Sequence, residues 1–163
     1  MFMTKKELLK RYLNRYNKAK NRIKELEKLL VQLREDGAFP QSPGSSPTRI
    51  QSNSVGNGTA ELALRVVEIE ERINSQKRQL STLLGEILDV LDYLPLESDE
   101  RAVFELRYLG GKREAFICKA RYISRSTYYT ICGRGIKELL QYKRIDEILN
   151  NYENDLKSRT FLD

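Results

Sequence analysis

The sequence predicts an all-α protein: two long coiled-coil-type helices joined by a disordered linker, followed by a compact module of short helices. Three observations carry this. Apolar residues recur at alternating steps of three and four over two separate stretches. Gly, Pro, Ser, Asn and Thr fill the gap between those stretches, residues 37–59. Beyond them, Pro95 and the pair Gly110-Gly111 cut the chain into shorter amphipathic pieces.

The first helix is expected within residues 1–36. Thr4 to Asp36 is free of Gly and Pro, and Thr4 with Glu7 has the spacing of a capping box. Leu9, Tyr12, Tyr16, Ala19, Ile23, Leu26, Leu30 and Leu33 then follow in an unbroken heptad pattern. The stretch GAFPQSPGSSPTRIQSNSVGNGT carries one charge, Arg49, and has the composition of a flexible linker. The second helix, residues 60–94, carries the seam Leu62, Val66, Ile69, Ile73, Gln76, Leu80, Leu83, Ile87, Val90 and Leu94. Only Gln76 is polar, and a lone polar seam residue commonly fixes register or partner number.

Charge favours pairing of the two. Residues 1–36 carry 11 basic and 5 acidic side chains, residues 60–94 carry 4 and 7, so a net +6 faces a net −3. The plainest use of both helices is to pair as a scaffold, with the basic residues Lys5 to Lys28 on a solvated exterior. Direction stays open, because the linker can reach about 75 Å while a helix of this length spans only about 50 Å. Pairing within one chain and between chains are both allowed.

Pro95 ends the second helix, and residues 95–142 read differently. Ser98-Asp99-Glu100 opens a helix bearing Ala102, Val103, Leu106 and Leu109, and Gly110-Gly111 stops it. A short helix fits Arg113 to Arg121, then Tyr122-Ile123-Ser124, then a helix from Arg125 toward Tyr142. Ile145, Ile148, Leu149, Tyr152 and Leu156 mark a last amphipathic helix in residues 143–163, with a fraying tail.

Short helix, three-residue turn, helix is the helix-turn-helix plan, which seats its second helix in the major groove of DNA. Ser124 suits the N-cap, where exposed N–H groups and the helix dipole favour a phosphate. Arg125, Ser126, Tyr129 and Thr130 fall on the first exposed turns, whereas Tyr128 and Ile131 should face the core. Arg134 and Lys137 follow on the flank. Between Arg107 and Lys137 stand eight basic residues and one acid, Glu114, a net +7 that exceeds the +6 of the whole chain.

Composition removes other classes. Of 163 residues none is histidine, which excludes His-based triads, His general bases and most catalytic zinc sites. The two cysteines, Cys118 and Cys132, lack metal-binding or redox spacing and read as small buried residues in a reducing compartment. No nucleophile–base pair or phosphate loop is recognisable, so no enzyme activity, metal or cofactor is expected. Met1-Phe2-Met3 runs straight into Thr4-Lys5-Lys6 without an apolar region, and no run approaches a membrane span. A cytoplasmic location is the expectation, without membrane contact. The sequence pI near 9.3 favours a polyanionic partner.

The stretch ESDERAVFELRYLGGKREAFICKARYISRSTYYTICGRGIKELL resembles region 4 of bacterial sigma factors. It is most similar to the phage and prophage version in ArpU-type and RinA-type late-gene transcription regulators. The motifs are ER-x-V-x-x-LRYL at 100–109, Ile117-Cys118, I-S-R-S-T-x-Y at 123–129 and G-R-G-I-K-x-L at 133–139. The resemblance implies sequence-specific binding of duplex promoter DNA and control of transcription. Carried over by position, it puts base reading on Arg125, Ser126, Tyr129 and Thr130. It puts phosphate contacts on Lys112, Arg113, Ser124, Arg134 and Lys137. RNA polymerase is a further partner if the module acts as a partial sigma factor.

Two positions depart from the pattern: Tyr122 stands where such turns usually have Gly or Asn, and Arg121 where an apolar residue is usual. Gly133 and Gly135, each unfavourable in a helix by about 1 kcal/mol against Ala, predict a bend or an early stop. A homodimer held by the coiled coil, reading a palindromic or repeated site, is the favoured assembly. Two other functions share these features: a small terminase-like packaging subunit, and a sigma-like module that grips polymerase without reading DNA.

Overall fold

A computed structural model describes residues 3–38 and 55–160. These residues contain helices and no strand, as expected for the all-α class: α1 (Lys5–Leu13), α2 (Arg15–Ala38), α3 (Val55–Leu91), α4 (Asp99–Phe104), α5 (Glu114–Arg121), α6 (Arg125–Leu139) and α7 (Lys143–Thr160). A single π-helical turn, Glu105–Leu109, prolongs α4. The chain divides into two compact units, Ala19–Leu80 and the combination of Met1–Lys18 with Ser81–Asp163.

The unit Ala19–Leu80 is an antiparallel helical hairpin formed within one chain. Its core is Ile23, Leu26, Leu30 and Ile73, with Val66, Ile69 and Leu80 packed against it, all of them residues of the two expected seams. Direction follows from the ion pairs. Glu27 meets Lys77 at 2.8 Å and Arg34 meets Glu70, so rising numbers on α2 oppose falling numbers on α3. With Ile23 and Ile73 as heptad position a, all four charged residues occupy position e, the flank that faces its counterpart in an antiparallel pair. The expected linker 37–59 is shorter: α2 reaches Ala38 and α3 begins at Val55. Helix continues through Gly37 at one end and through Gly56 and Gly58 at the other. The rest of that expected linker, residues 39–54, lies outside the described residues.

The other unit is a multi-helix core, larger than the expected 95–142 module. Leu8, Leu9, Tyr12 and Leu13 of α1 join Ile87, Val90 and Leu94 from the end of the second seam, with Leu91 beside them. They pack with Val103, Phe104, Tyr108, Ile117, Tyr128, Ile131, Ile136 and Leu139, and with Ile145 and Leu149 of α7. The capping box forms as expected: Thr4 Oγ1 accepts from the Glu7 amide, and the Thr4 amide donates to Glu7. The single helix expected through Asp36 is interrupted at Asn14, so α1 and α2 are separate elements. α7 continues to Thr160 instead of fraying after Leu156, with Lys157 and Arg159 complementing the dipole in its last turn.

The second helix ends four residues before Pro95, at Leu91, whose carbonyl accepts from the Leu94 amide at 2.9 Å and also from a side chain of α4. Arg101, 7% exposed, donates through Nη1 to the Leu91 carbonyl at 3.0 Å and contacts Asp92 at 2.9 Å and Glu105 at 2.8 Å. Ser98 caps α4, accepting from the Arg101 amide. At the π turn the Gly110 amide donates to the Glu105 carbonyl, and Asn17 on α2 donates to the Arg107 carbonyl at 2.8 Å. Gly111, at φ 63°, lets the chain turn back beside Asn17.

Candidate nucleic-acid interface

α5 and α6 are joined through Tyr122, Ile123 and Ser124. The α5 C-cap is Tyr122 in the left-handed region (φ 54°, ψ 43°), and the following amide, Ile123, donates back to the Cys118 carbonyl at 3.0 Å. The position where Gly or Asn is usual therefore keeps the left-handed backbone with a tyrosine in place. Its side chain is 96% exposed. Ile123 is half-buried against the core. Ser124 is the N-cap of α6: its Oγ accepts from the Thr127 amide at 3.1 Å and lies 2.9 Å from Thr127 Oγ1.

α6 is amphipathic in the expected phase. Tyr128 and Ile131 are buried, as are Gly135, Ile136 and Leu139. Arg125, Ser126, Tyr129, Thr130, Gly133, Arg134 and Lys137 are exposed, and so are Lys112 and Arg113 before α5. The glycines neither end nor interrupt α6. A Cβ at Gly133 would meet nothing within 4 Å, whereas one at Gly135 would stand 2.6 Å from Phe104 Cζ. Gly135 is there so that α6 can approach α4.

The structure brings Arg125 and Tyr129 together on a residue noted in the sequence only as a lone acid. Glu114, in the first turn of α5, forms an ion pair with Arg125 Nε at 2.8 Å and accepts from Tyr129 Oη at 2.6 Å. The Arg125 guanidinium also lies 5.8 Å from the Tyr129 ring centre. Bonding to Tyr129, then the charge of Glu114, raises the Arg125 pKa above the ordinary arginine value. Glu114 alone interrupts the basic run between Arg107 and Lys137, and that was its available signal.

The remaining candidates are occupied to different degrees. Thr130 turns its hydroxyl to the Ser126 carbonyl at 3.1 Å. Arg134 pairs with Glu100 of α4 at 3.2 Å, which draws it toward the flank, and Lys112 lies 4.8 Å from the Phe116 ring centre. Arg121, at the position where an apolar residue is usual, is exposed and pairs with Asp99 at 2.9 Å. Of the eight basic residues in the run, Arg107 turns inward. Its Nη1 donates to Tyr128 Oη at 2.5 Å, and the guanidinium is half-buried near the rings of Tyr108 and Tyr128. Cys118 and Cys132 are half-buried against the core.

No helix among the described residues is long and apolar enough to cross a membrane. No family model matches this chain, and no curated protein or solved structure matches it either.

Proposed function

We propose that this chain is a sequence-specific, duplex-DNA-binding transcription regulator of the phage and prophage kind, with α6 as the helix that enters the major groove. One observation carries the reading. The outward stripe of α6, Arg125, Ser126, Tyr129, Thr130 and Lys137, is uncovered and begins at a capped N-terminus. The exposed cations Lys112, Arg113 and Arg134 flank it. On this reading Lys112, Arg113, Arg134 and Lys137 set affinity through phosphates, with Ser124 ordering the first amides of α6. Arg125, Ser126, Tyr129 and Thr130 face the base edges. The α2–α3 hairpin supports this reading as a scaffold, since its two seams are used on each other. The dimer a palindromic site calls for then forms through outward faces, which include Leu64 and Val67.

The test is selection from a pool of random duplexes, with light scattering of the free and bound protein. A defined enriched motif is expected. Arg125→Ala should lower affinity for that motif roughly 5- to 150-fold while sparing random DNA. Absence of binding even at low salt overturns the proposal and leaves a protein partner such as RNA polymerase. A large ring without an enriched motif overturns it in favour of DNA packaging.

A further inference from the structure

A carboxylate inside a DNA-binding surface repels phosphate, so its presence there calls for a purpose. Glu114 is the sole acid in a stretch of net charge +7, and both of its oxygens are engaged by residues of α6. Each engagement constrains what the partner can offer to DNA. An arginine ion-paired at Nε has its rotamers narrowed and leaves its Nη1/Nη2 edge to act as a two-pronged donor. That edge matches the O6 and N7 acceptors of guanine. A tyrosine whose hydroxyl donates to a carboxylate has no proton left to offer a base. What Tyr129 has left to present is its ring, half of it exposed, and an apolar surface in the major groove is suited to the methyl group of thymine.

We propose that Glu114 is the specificity-determining positioning residue of this surface, holding Arg125 to read a guanine and Tyr129 to lay its ring on a neighbouring thymine methyl. The proposal rests on the DNA-binding reading above and deepens it. Glu114 touches no base: it acts through Arg125 and Tyr129, at the cost of one negative charge among the phosphates. Pairing with the guanidinium compensates that charge, which is why the carboxylate can be kept at the surface without abolishing non-specific attraction.

The experiment compares wild type, Glu114→Gln, Arg125→Ala, the double variant and Tyr129→Phe, each confirmed folded by its thermal melt. Every protein is titrated with the selected duplex and with duplexes changed at single positions. Wild type should prefer guanine at one position by roughly 5- to 150-fold over the other bases. Glu114→Gln should lose most of that preference while binding random duplex as well as wild type or better, with an unchanged salt slope. The double variant should discriminate no worse than Arg125→Ala, because the two residues act as one unit. Tyr129→Phe keeps the ring but loses its bond to Glu114, so it should weaken the thymine preference.

Three results overturn the positioning role. The first is an unchanged guanine preference in Glu114→Gln. The second is multiplying losses in the double variant, which would mean that Glu114 contacts DNA itself. The third is an unchanged thymine preference in Tyr129→Phe, which would mean that the ring needs no hold from Glu114. If wild type selects no motif at all, the DNA-reading function fails, a result separate from these three.

Discussion

The backbone of Gly135 lies against the ring of Phe104, so close that a Cβ would stand 2.6 Å from Cζ. Two residues, about half a helical turn, separate the two glycines of α6, and they lie on opposite faces with opposite consequences. At Gly135 an added methyl must push Phe104, a fully buried side chain, out of its place, and overpacking of this kind costs about 1–3 kcal/mol. At Gly133 the same methyl meets open space and only removes the backbone-entropy penalty, a gain of about 1 kcal/mol. Gly135→Ala should therefore lower the urea midpoint and Gly133→Ala should raise it. Equal shifts of one sign would show that close packing of α6 on α4 does not hold in solution.

Arg101 closes the open end of α3. It carries the Leu91 carbonyl, Asp92 and Glu105 on one guanidinium while itself being buried. Arg101→Ala leaves the Leu91 carbonyl with the Leu94 amide alone, frees Asp92 and Glu105 of their partner, and empties a buried site, so it should cost about 1–3 kcal/mol in denaturant unfolding. Arg101→Lys should recover only part of this, since a point charge on a flexible stem cannot serve three acceptors spread around a planar fork. Full recovery by lysine would reduce the residue's role to charge alone.

Much of this architecture was legible because heptad periodicity is a strong, local signal. Every residue of the second seam, Leu62 through Leu94, is buried or half-buried, Gln76 included. The phase of α6 was equally readable, with Tyr128 inward and Tyr129 outward. What escaped was non-local. Arg101 reads as an ordinary helix-surface arginine until α3 is placed beside it. Arg107 counts as a surface cation until Tyr128 draws it inward. Phe104 and Tyr108, four apart and in edge-to-face contact, had helical spacing, yet went unassigned to the core that they fill. The glycines of α6 were misread as a stop because propensity sees only the cost of glycine, whereas Phe104 supplies the reason for it. Glu114 was visible only as an anomaly of sign, and its two partners lie 11 and 15 residues away on another helix.

Tyr122 is the one described non-glycine residue with positive φ, and its side chain is 96% exposed. The left-handed conformation costs an L-residue about 1 kcal/mol or more, and here no buried contact offsets it. Tyr122→Gly should stabilise the protein by roughly 1 kcal/mol, and Tyr122→Asn by less. Tyr122→Ala should leave stability nearly unchanged, because alanine keeps the Cβ that makes the turn unfavourable. A gain for alanine equal to that for glycine would place the effect in the exposed ring instead of the backbone.

Alkali should unfold this protein through its buried tyrosines. Burial, the largest cause, pushes the Tyr128 hydroxyl up to about 12, against about 10 in an unfolded chain. Burial also raises Tyr12 and Tyr108. Between those two pH values the unfolded chain releases a proton that the native protein retains, so the unfolded state binds fewer protons and stability falls as pH rises. The contribution is complete below about pH 10 and disappears through about pH 12. Tyr128→Phe removes this proton and should flatten the alkaline limb of a stability–pH profile. It also deletes the bond from Arg107 Nη1, so at neutral pH the variant should be less stable than wild type by about 1 kcal/mol. The two profiles should therefore converge as pH climbs. Parallel profiles to the end of the range would mean that Tyr128 ionises alike in the folded and unfolded protein.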